Sequence, residues 1–280
     1  MNPRTSSAGL PRFAFWTGGV IVVLFIIAAI CASFVHSAAY VAQPENPFAP
    51  PFWAHGGSMT HPLGTDQLGR DLGARMLYGI RISVEIGIAS VLIAGAVGVA
   101  IGQMAGFVGG WLDDVVMRIS DGLLAIPVIL LAISVIGAVG ASMLTLILVL
   151  AGTQWMLFAR VARGSTLVLR ERQFIVAQQA LGSRRRRIML RHIVPHVLPT
   201  ALVVATLTIP TVILLESGLD FLGLGVQPPT PSIGGMISDG LETITSNASV
   251  AIYPGIVLML LVVGINMLGD GFGALISRDR

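Results

Sequence analysis

Residues Gly122 to Ala159 run for 38 positions without an Asp, Glu, Lys or Arg. As a single helix rising 1.5 Å per residue this run would be about 57 Å long, roughly twice the hydrocarbon thickness of a bilayer. It must fold back on itself, and GAVGAS at Gly137–Ser142 is the only plausible turn within it. Phe13–Val35 and Ile86–Val108 are charge-free for 23 residues each, and Val197–Leu215 and Val250–Leu268 supply two more spans. The reading is an all-α membrane protein of six transmembrane helices with both termini on one side. Composition agrees, since 54% of residues are hydrophobic and 11% charged, against about 25% charged in soluble domains. The first run is longer than the roughly 7–15 apolar residues of a signal peptide and is read as a retained helix.

All 17 basic residues are arginine, and they set the orientation. With the N-terminus in the cytoplasm, Arg4, Arg12, Arg118, nine arginines between Arg160 and Arg191, Arg278 and Arg280 lie inside, and only Arg70, Arg75 and Arg81 lie outside. The positive-inside rule therefore predicts N-in and C-in. The expected organisation is a cytoplasmic tail over 1–12, a first transmembrane helix over 13–36, and an external linker over 37–80. A five-helix core over 81–272 carries a cytoplasmic loop at 160–196, and a cytoplasmic tail follows over 273–280. A net charge of +3 is too small for a nucleic-acid surface over this length, and the arginines suit acidic lipid headgroups. Cys31 is alone in an apolar run, which excludes a disulfide framework.

The cytoplasmic loop gathers five arginines in eight positions, Arg184–Arg187 and Arg191. Just before them Phe174, Ala177 and Leu181 recur at i, i+3 and i+7, one stripe of a short helix. Gly182 stands where a helix C-cap belongs, and Ser183 is placed to cap a second helix over Arg184–His192. Pro195 and Pro199 mark the entry to the fifth span. A small apolar ridge on such a loop suits docking into a groove on a partner.

The loop resembles the EAA loop of ABC importer permeases, a glutamate–alanine–alanine triplet followed four positions later by glycine. Val176, Ala177 and Gln178 align with the triplet and Gly182 with the glycine. The flanks HPLGTDQLGRD (His61–Asp71), GGWLDDVVMRISD (Gly109–Asp121), RHIVPHVLP (Arg191–Pro199), FLGLGVQPPTPSIGGMISDG (Phe221–Gly240) and NMLGDG (Asn266–Gly271) are similar to the second permease subunit of dipeptide and oligopeptide importers, the DppC/OppC type. The resemblance covers residues 61–271. It implies the type I ABC importer permease fold in a bacterial cell membrane and import of peptides. It also implies a coupling helix, here Phe174, Val176, Ala177, Gln178, Leu181, Gly182 and Arg184, seated in a cleft of a cytoplasmic ATPase. The implied partners are a second homologous permease forming a heterodimer, two ABC ATPase subunits that hold ATP and magnesium, an external or periplasmic binding protein, and membrane lipids. Relatives of the same type carry nickel complexes or glutathione. The chain departs from the pattern at Val176 and Gln178, at Gly273 and Ala274 where an arginine–aspartate pair is usual, and at Ile233 where tryptophan is common.

Other candidates carry less chemistry. Glu85, Asp121, Glu216, Asp220 and Asp270 are read as span-end charges, solvated or paired with neighbours such as Arg81 and Arg118. His192 and His196 have the i, i+4 spacing of a metal pair but no third ligand nearby. GGWLDD lacks the lysine and hydroxyl of a phosphate-binding loop, so no ATP site, catalytic group or resident cofactor is expected and the chain is not an enzyme by itself. Pro127, Pro210 and Pro254 fall inside the third, fifth and sixth spans; a proline there can kink a helix or be simply tolerated in a membrane, and kinks in the third and fifth spans would shape the pathway. The rival class is a secondary transporter driven by an ion gradient, which needs ionisable groups or broken helices at the bilayer midplane.

Overall fold

The computed structural model describes residues 9–34, 39–43 and 46–278. Arg4, Arg280 and the boundary expected at residue 36 lie outside the described residues. α1 (Gly9–Cys31) is followed, after a 3₁₀ turn and a looped linker, by α2 (Leu72–Val108). Next come α3 (Gly110–Leu124), α4 (Val128–Val139) and α5 (Met143–Arg170). The loop holds α6 (Gln173–Ala180) and α7 (Arg185–Ile188), and α7 runs through a π turn into α8 (Val194–Phe221). α9 (Ile233–Glu242) and α10 (Ser249–Arg278) complete the chain. Among the described residues, five helical stretches are long and apolar enough to cross a membrane, and α3 with α4 forms a sixth only as a pair bent by 89°.

That bend corrects the expected third span. Pro127 has no N–H and disfavours helical geometry at Ile126 before it, so α3 ends at Leu124 instead of kinking. With 12 residues, α4 is about 18 Å long and cannot cross the hydrocarbon alone. The turn at Gly137–Ser142 does form, with Gly140 at φ 98° and Ser142 accepting from the Thr145 N–H at the start of α5. Pro210 and Pro254 stay inside continuous helices.

α2 is the centre of the bundle. Gly98, Gly102 and Gly106 lie on one face of it, and a Cβ on any of them would come within 3 Å of the α5 backbone at Trp155, Ala159 or Arg163. Lipid offers no hydrophobic force between helices, so such small-residue stripes set how closely membrane helices pack. Around this seam Ile82, Ile86, Leu146, Leu150, Phe158 and Val212 form the buried core. α1 lies against α10, where Gly18 fits the backbone at Gly264 and Leu268 and Gly271 fits Phe15.

α2 also begins earlier than the apolar run that revealed it, at Leu72. Its first turns up to residue 80, with Arg75, were read as linker, and Arg81 was expected to pair with a span-end acid; each charge finds a partner. Asp66 takes the Arg70 Nε at 2.7 Å and the buried Arg75, and Arg81 meets Glu85 at 2.7 Å. Asp66 Oδ1 also accepts the backbone N–H groups of Leu68 and Arg70, both at 2.9 Å. Burial pushes the Asp66 carboxyl up, but the combined pull of Arg75 and of the Arg70 backbone and guanidinium is greater, leaving it below the usual carboxylate range. This knot closes the linker over the end of the bundle remote from the arginine-rich loop.

Candidate functional site

The loop between α5 and α8 divides into an inward anchor and an outward ridge. On α6 only Ile175 is buried, at 0% exposure. It packs with Ala162 of α5, Ile188 of α7, Ile193 of the π turn and Val197 of α8. Phe174, Val176, Ala177 and Leu181 stay exposed, Leu181 at 80%. Ile175, which ties α6 to the bundle, therefore sits directly between side chains that stay exposed.

The end of α6 follows from glycine chemistry. Gly182 has φ 75°, a region open to glycine at little cost. Its N–H donates to the Gln179 carbonyl at 3.0 Å, and the Ser183 N–H to the Gln178 carbonyl at 3.0 Å, the two bonds of a Schellman stop. Ser183 does not cap the next helix as expected. Its hydroxyl donates to Gln178 Oε1 at 2.8 Å, and Arg184 takes the N-cap position without a side-chain bond. The helix expected over Arg184–His192 is a four-residue α7 and a π turn, continuous with α8.

The platform beneath the loop is held by ion pairs. Arg163 on α5 binds Asp113 on α3 through both carboxylate oxygens, one at 2.6 Å. Arg160 pairs with Asp121, where the sequence suggested Arg118, and Arg170 Nη1 donates to the Gly106 carbonyl at 3.1 Å. Gly109 and Gly110, with φ 71° and 62°, turn the chain sharply between α2 and α3. This is the structural use of the GGWLDD stretch. His192 and His196 flank Phe174, with His196 stacked on its ring at 5.8 Å.

Residues 98–280 match the family described as binding-protein-dependent transport system inner membrane component. The chain belongs to that family. The permease is 39% identical to the dipeptide transport system permease protein DppC of Alkalihalophilus pseudofirmus, over 91% of this chain and 82% of that one. It is also 39% identical to the glutathione transport system permease protein GsiD of an Escherichia coli strain, over 91% and 83%. With GsiD of Pectobacterium atrosepticum the identity is 36%, over 96% and 91%. It is thus a membrane-embedded permease component of a binding-protein-dependent ABC transport system.

Within the permease, the stripe Phe174, Ala177 and Leu181 is exposed, and the buried anchor beside it was not read from the sequence. Ile175 falls off the Phe174–Ala177–Leu181 stripe, and its burial depends on α8 passing behind it. The glycine triad of α2 was readable as small residues four apart. The largest correction concerns Glu216 and Asp220. They are neither solvated nor paired with a cation, but buried in the last turns of α8 at 0% and 4% exposure. Glu216 Oε2 accepts from Ser83 at 2.9 Å and Ser217 at 3.2 Å. Ile233, at the family's tryptophan position, is fully buried where α9 meets Gly79 of α2.

Proposed function

We propose that this permease forms one half of the pathway of an ATP-driven importer of short peptides. In this reading its termini and arginine-rich loop are cytoplasmic and α6 is the element gripped by an ATPase. A second, homologous permease completes the pathway, and a binding protein delivers substrate at the opposite end. The observation that carries the reading is the two-sided α6, whose buried Ile175 transmits to α5 and α8 whatever force a partner applies to the exposed ridge. The orientation is supported by the arginine distribution, and the peptide class by the names of the relatives. Dipeptides and glutathione both carry a free α-ammonium and a free carboxylate, so one pathway chemistry suits both.

The test is reconstitution of the permease with its partner permease and ATPases in proteoliposomes, with binding protein and a labelled dipeptide outside. Uptake is expected to require internal ATP and to be lost with Phe174→Ala combined with Leu181→Ala. Uptake that ignores ATP and collapses with an uncoupler would instead establish the ion-gradient transporter.

A further inference from the structure

Two hollows meet where α7 passes into the π turn. One, of about 590 Å³, is walled by Arg184, Arg186, Arg187 and Leu190 and by the turn at Leu181–Ser183. The other, of about 420 Å³, is a groove between α2 and α8 with Phe158 of α5 behind it. Leu190 stands in the wall of both, one helical turn beyond Arg186 and Arg187. From Leu190 the groove follows α8 along Val194, Leu198 and Leu202, four residues apart and so on one face. Its opposite wall is α2 from Val91 to Met104, about 20 Å of helix. Gly95, Ala96 and Ala100 leave that wall low, and Gln103, 2% exposed, is the one polar side chain among the described lining residues.

The charges at the mouth of the groove have no acid to meet. Arg184–Arg187 and Arg191 are all exposed, and among the described residues none of them makes an ion pair. Neither hollow has a carboxylate in its wall, and Glu171 lines a separate one with Arg170 and Arg185. Guanidinium groups beside an apolar groove complement an amphiphile with an anionic head and a hydrocarbon tail. The length agrees, since half the hydrocarbon thickness is about 15 Å and the groove offers about 20 Å. Spread over that length, 420 Å³ is a cross-section on the order of 20 Å², room for one hydrocarbon chain but not for the about 80 Å² of a helix with its side chains. We propose that the two hollows form a site for one anionic phospholipid, its headgroup on Arg186 and Arg187 and one acyl chain between α2 and α8. Basic pockets between membrane helices hold acidic headgroups in this way. A diffuse layer of headgroups would need the arginines alone, whereas a site needs the groove as well. Val99 and Met189 line the groove and also pack against the pocket that seats Ile175, so the bound chain braces the anchor of α6.

The test uses the full complex in phosphatidylcholine nanodiscs, titrated with phosphatidylglycerol that carries a photoactivatable group on its acyl chain. Saturable labelling of groove residues such as Met104, Leu198 and Leu202 is expected, and the matched phosphatidylcholine probe should label them about tenfold less or weaker still. Arg186→Gln with Arg187→Gln should lower the phosphatidylglycerol labelling to the level of the phosphatidylcholine probe, while Arg186→Lys with Arg187→Lys keeps most of the preference. Ala100→Phe fills the groove without altering a charge and should abolish the saturable labelling. Melting of each variant complex reports its folding. A loss in the glutamine pair without a loss in Ala100→Phe means a diffuse headgroup layer and overturns the site. Glycerol phosphate in solution should not displace the lipid, and displacement would assign the arginines to a soluble phosphate and overturn it. Groove residues that stay unlabelled in the assembled complex are covered by a partner subunit, which also overturns the proposal.

Discussion

Replacing Ile175 by alanine tests whether α6 is held to the bundle by one side chain. α6 has eight residues, well below the roughly 12–15 needed for a helix to be even marginally stable alone in water. Its order must come from docking, and Ile175 is its only buried residue. Truncating a buried isoleucine to alanine costs about 2–5 kcal/mol, depending on how far the site collapses. The pocket here is walled by three neighbouring helices and the π turn, each with its own partners, which favours the middle of that range, about 3 kcal/mol. At 1.4 kcal/mol per tenfold, local opening of α6 should become about 100-fold more frequent. The assay is hydrogen exchange of the amides from Val176 to Ser183 in the nanodisc-embedded complex, because local opening governs their protection. Protection there should fall about 100-fold while the glycine-packed centres of α2 and α5 stay unchanged. Phe174→Ala is the matched control. Phe174 is 42% exposed, so it should leave protection nearly intact and weaken recovery of the ATPases on the tagged permease instead. If both variants lose the same protection, or Ile175→Ala loses none, the division into anchor and ridge is wrong.

Gly182→Leu should lower ATP-driven uptake more than it lowers the amount of complex in the membrane. A branched side chain at φ 75° strains the Schellman stop by about 1 kcal/mol or more and projects beside Leu181; intact coupling in the purified complex would refute this. For orientation, in a Cys31→Ser background, Met59→Cys should react with an impermeant thiol reagent from outside intact cells and Arg186→Cys only after permeabilisation. Asp66→Asn strands a buried arginine and should cost about 3–5 kcal/mol at neutral pH. The folded Asp66 carboxyl lies below its usual range, so its contribution is fully present above the unfolded value of about 3.9 and lost as pH falls through the lower folded value. Thermal melts of mutant and wild type should therefore converge as the medium is acidified below that range, and a constant gap would contradict the assignment.

The positions of the spans were legible because a bilayer demands long apolar runs, and the fold-back of Gly122–Ala159 was legible because no bilayer is twice as thick. What escaped was everything decided by neighbours distant in sequence. α2 was read nine residues too short at its start, since Arg75 looks like linker until Asp66 is seen to receive it. Glu216 and Asp220 look like solvated span ends until α9 closes over them, where Gly234 meets Ser217 and Asp220. Pro127 was recognised as a disturbance, but whether a proline kinks or breaks a helix depends on whether flanking turns have packing that holds them straight. α3 buries only Asp113 and Ser120, so nothing opposed the break.

The anchor and the buried carboxyls Glu216 and Asp220 lie on the same helical stretch, and this bears on how the proposed coupling could reach the far end. Ile188, Ile193 and Val197, which seat Ile175, belong to the run from Arg185 to Phe221 that ends at Asp220. Its 37 residues make a rod about 55 Å long. A force applied to α6 therefore enters one end of the element that carries the buried carboxyls at the other. The π turn at Met189–Ile193 and the internal Pro199 and Pro210 are the places where such a rod has fewer regular hydrogen bonds to break when it bends. Bending there while the Gly98–Gly102–Gly106 seam holds α2 to α5 would shift Asp220 relative to Arg75, which sits on α2.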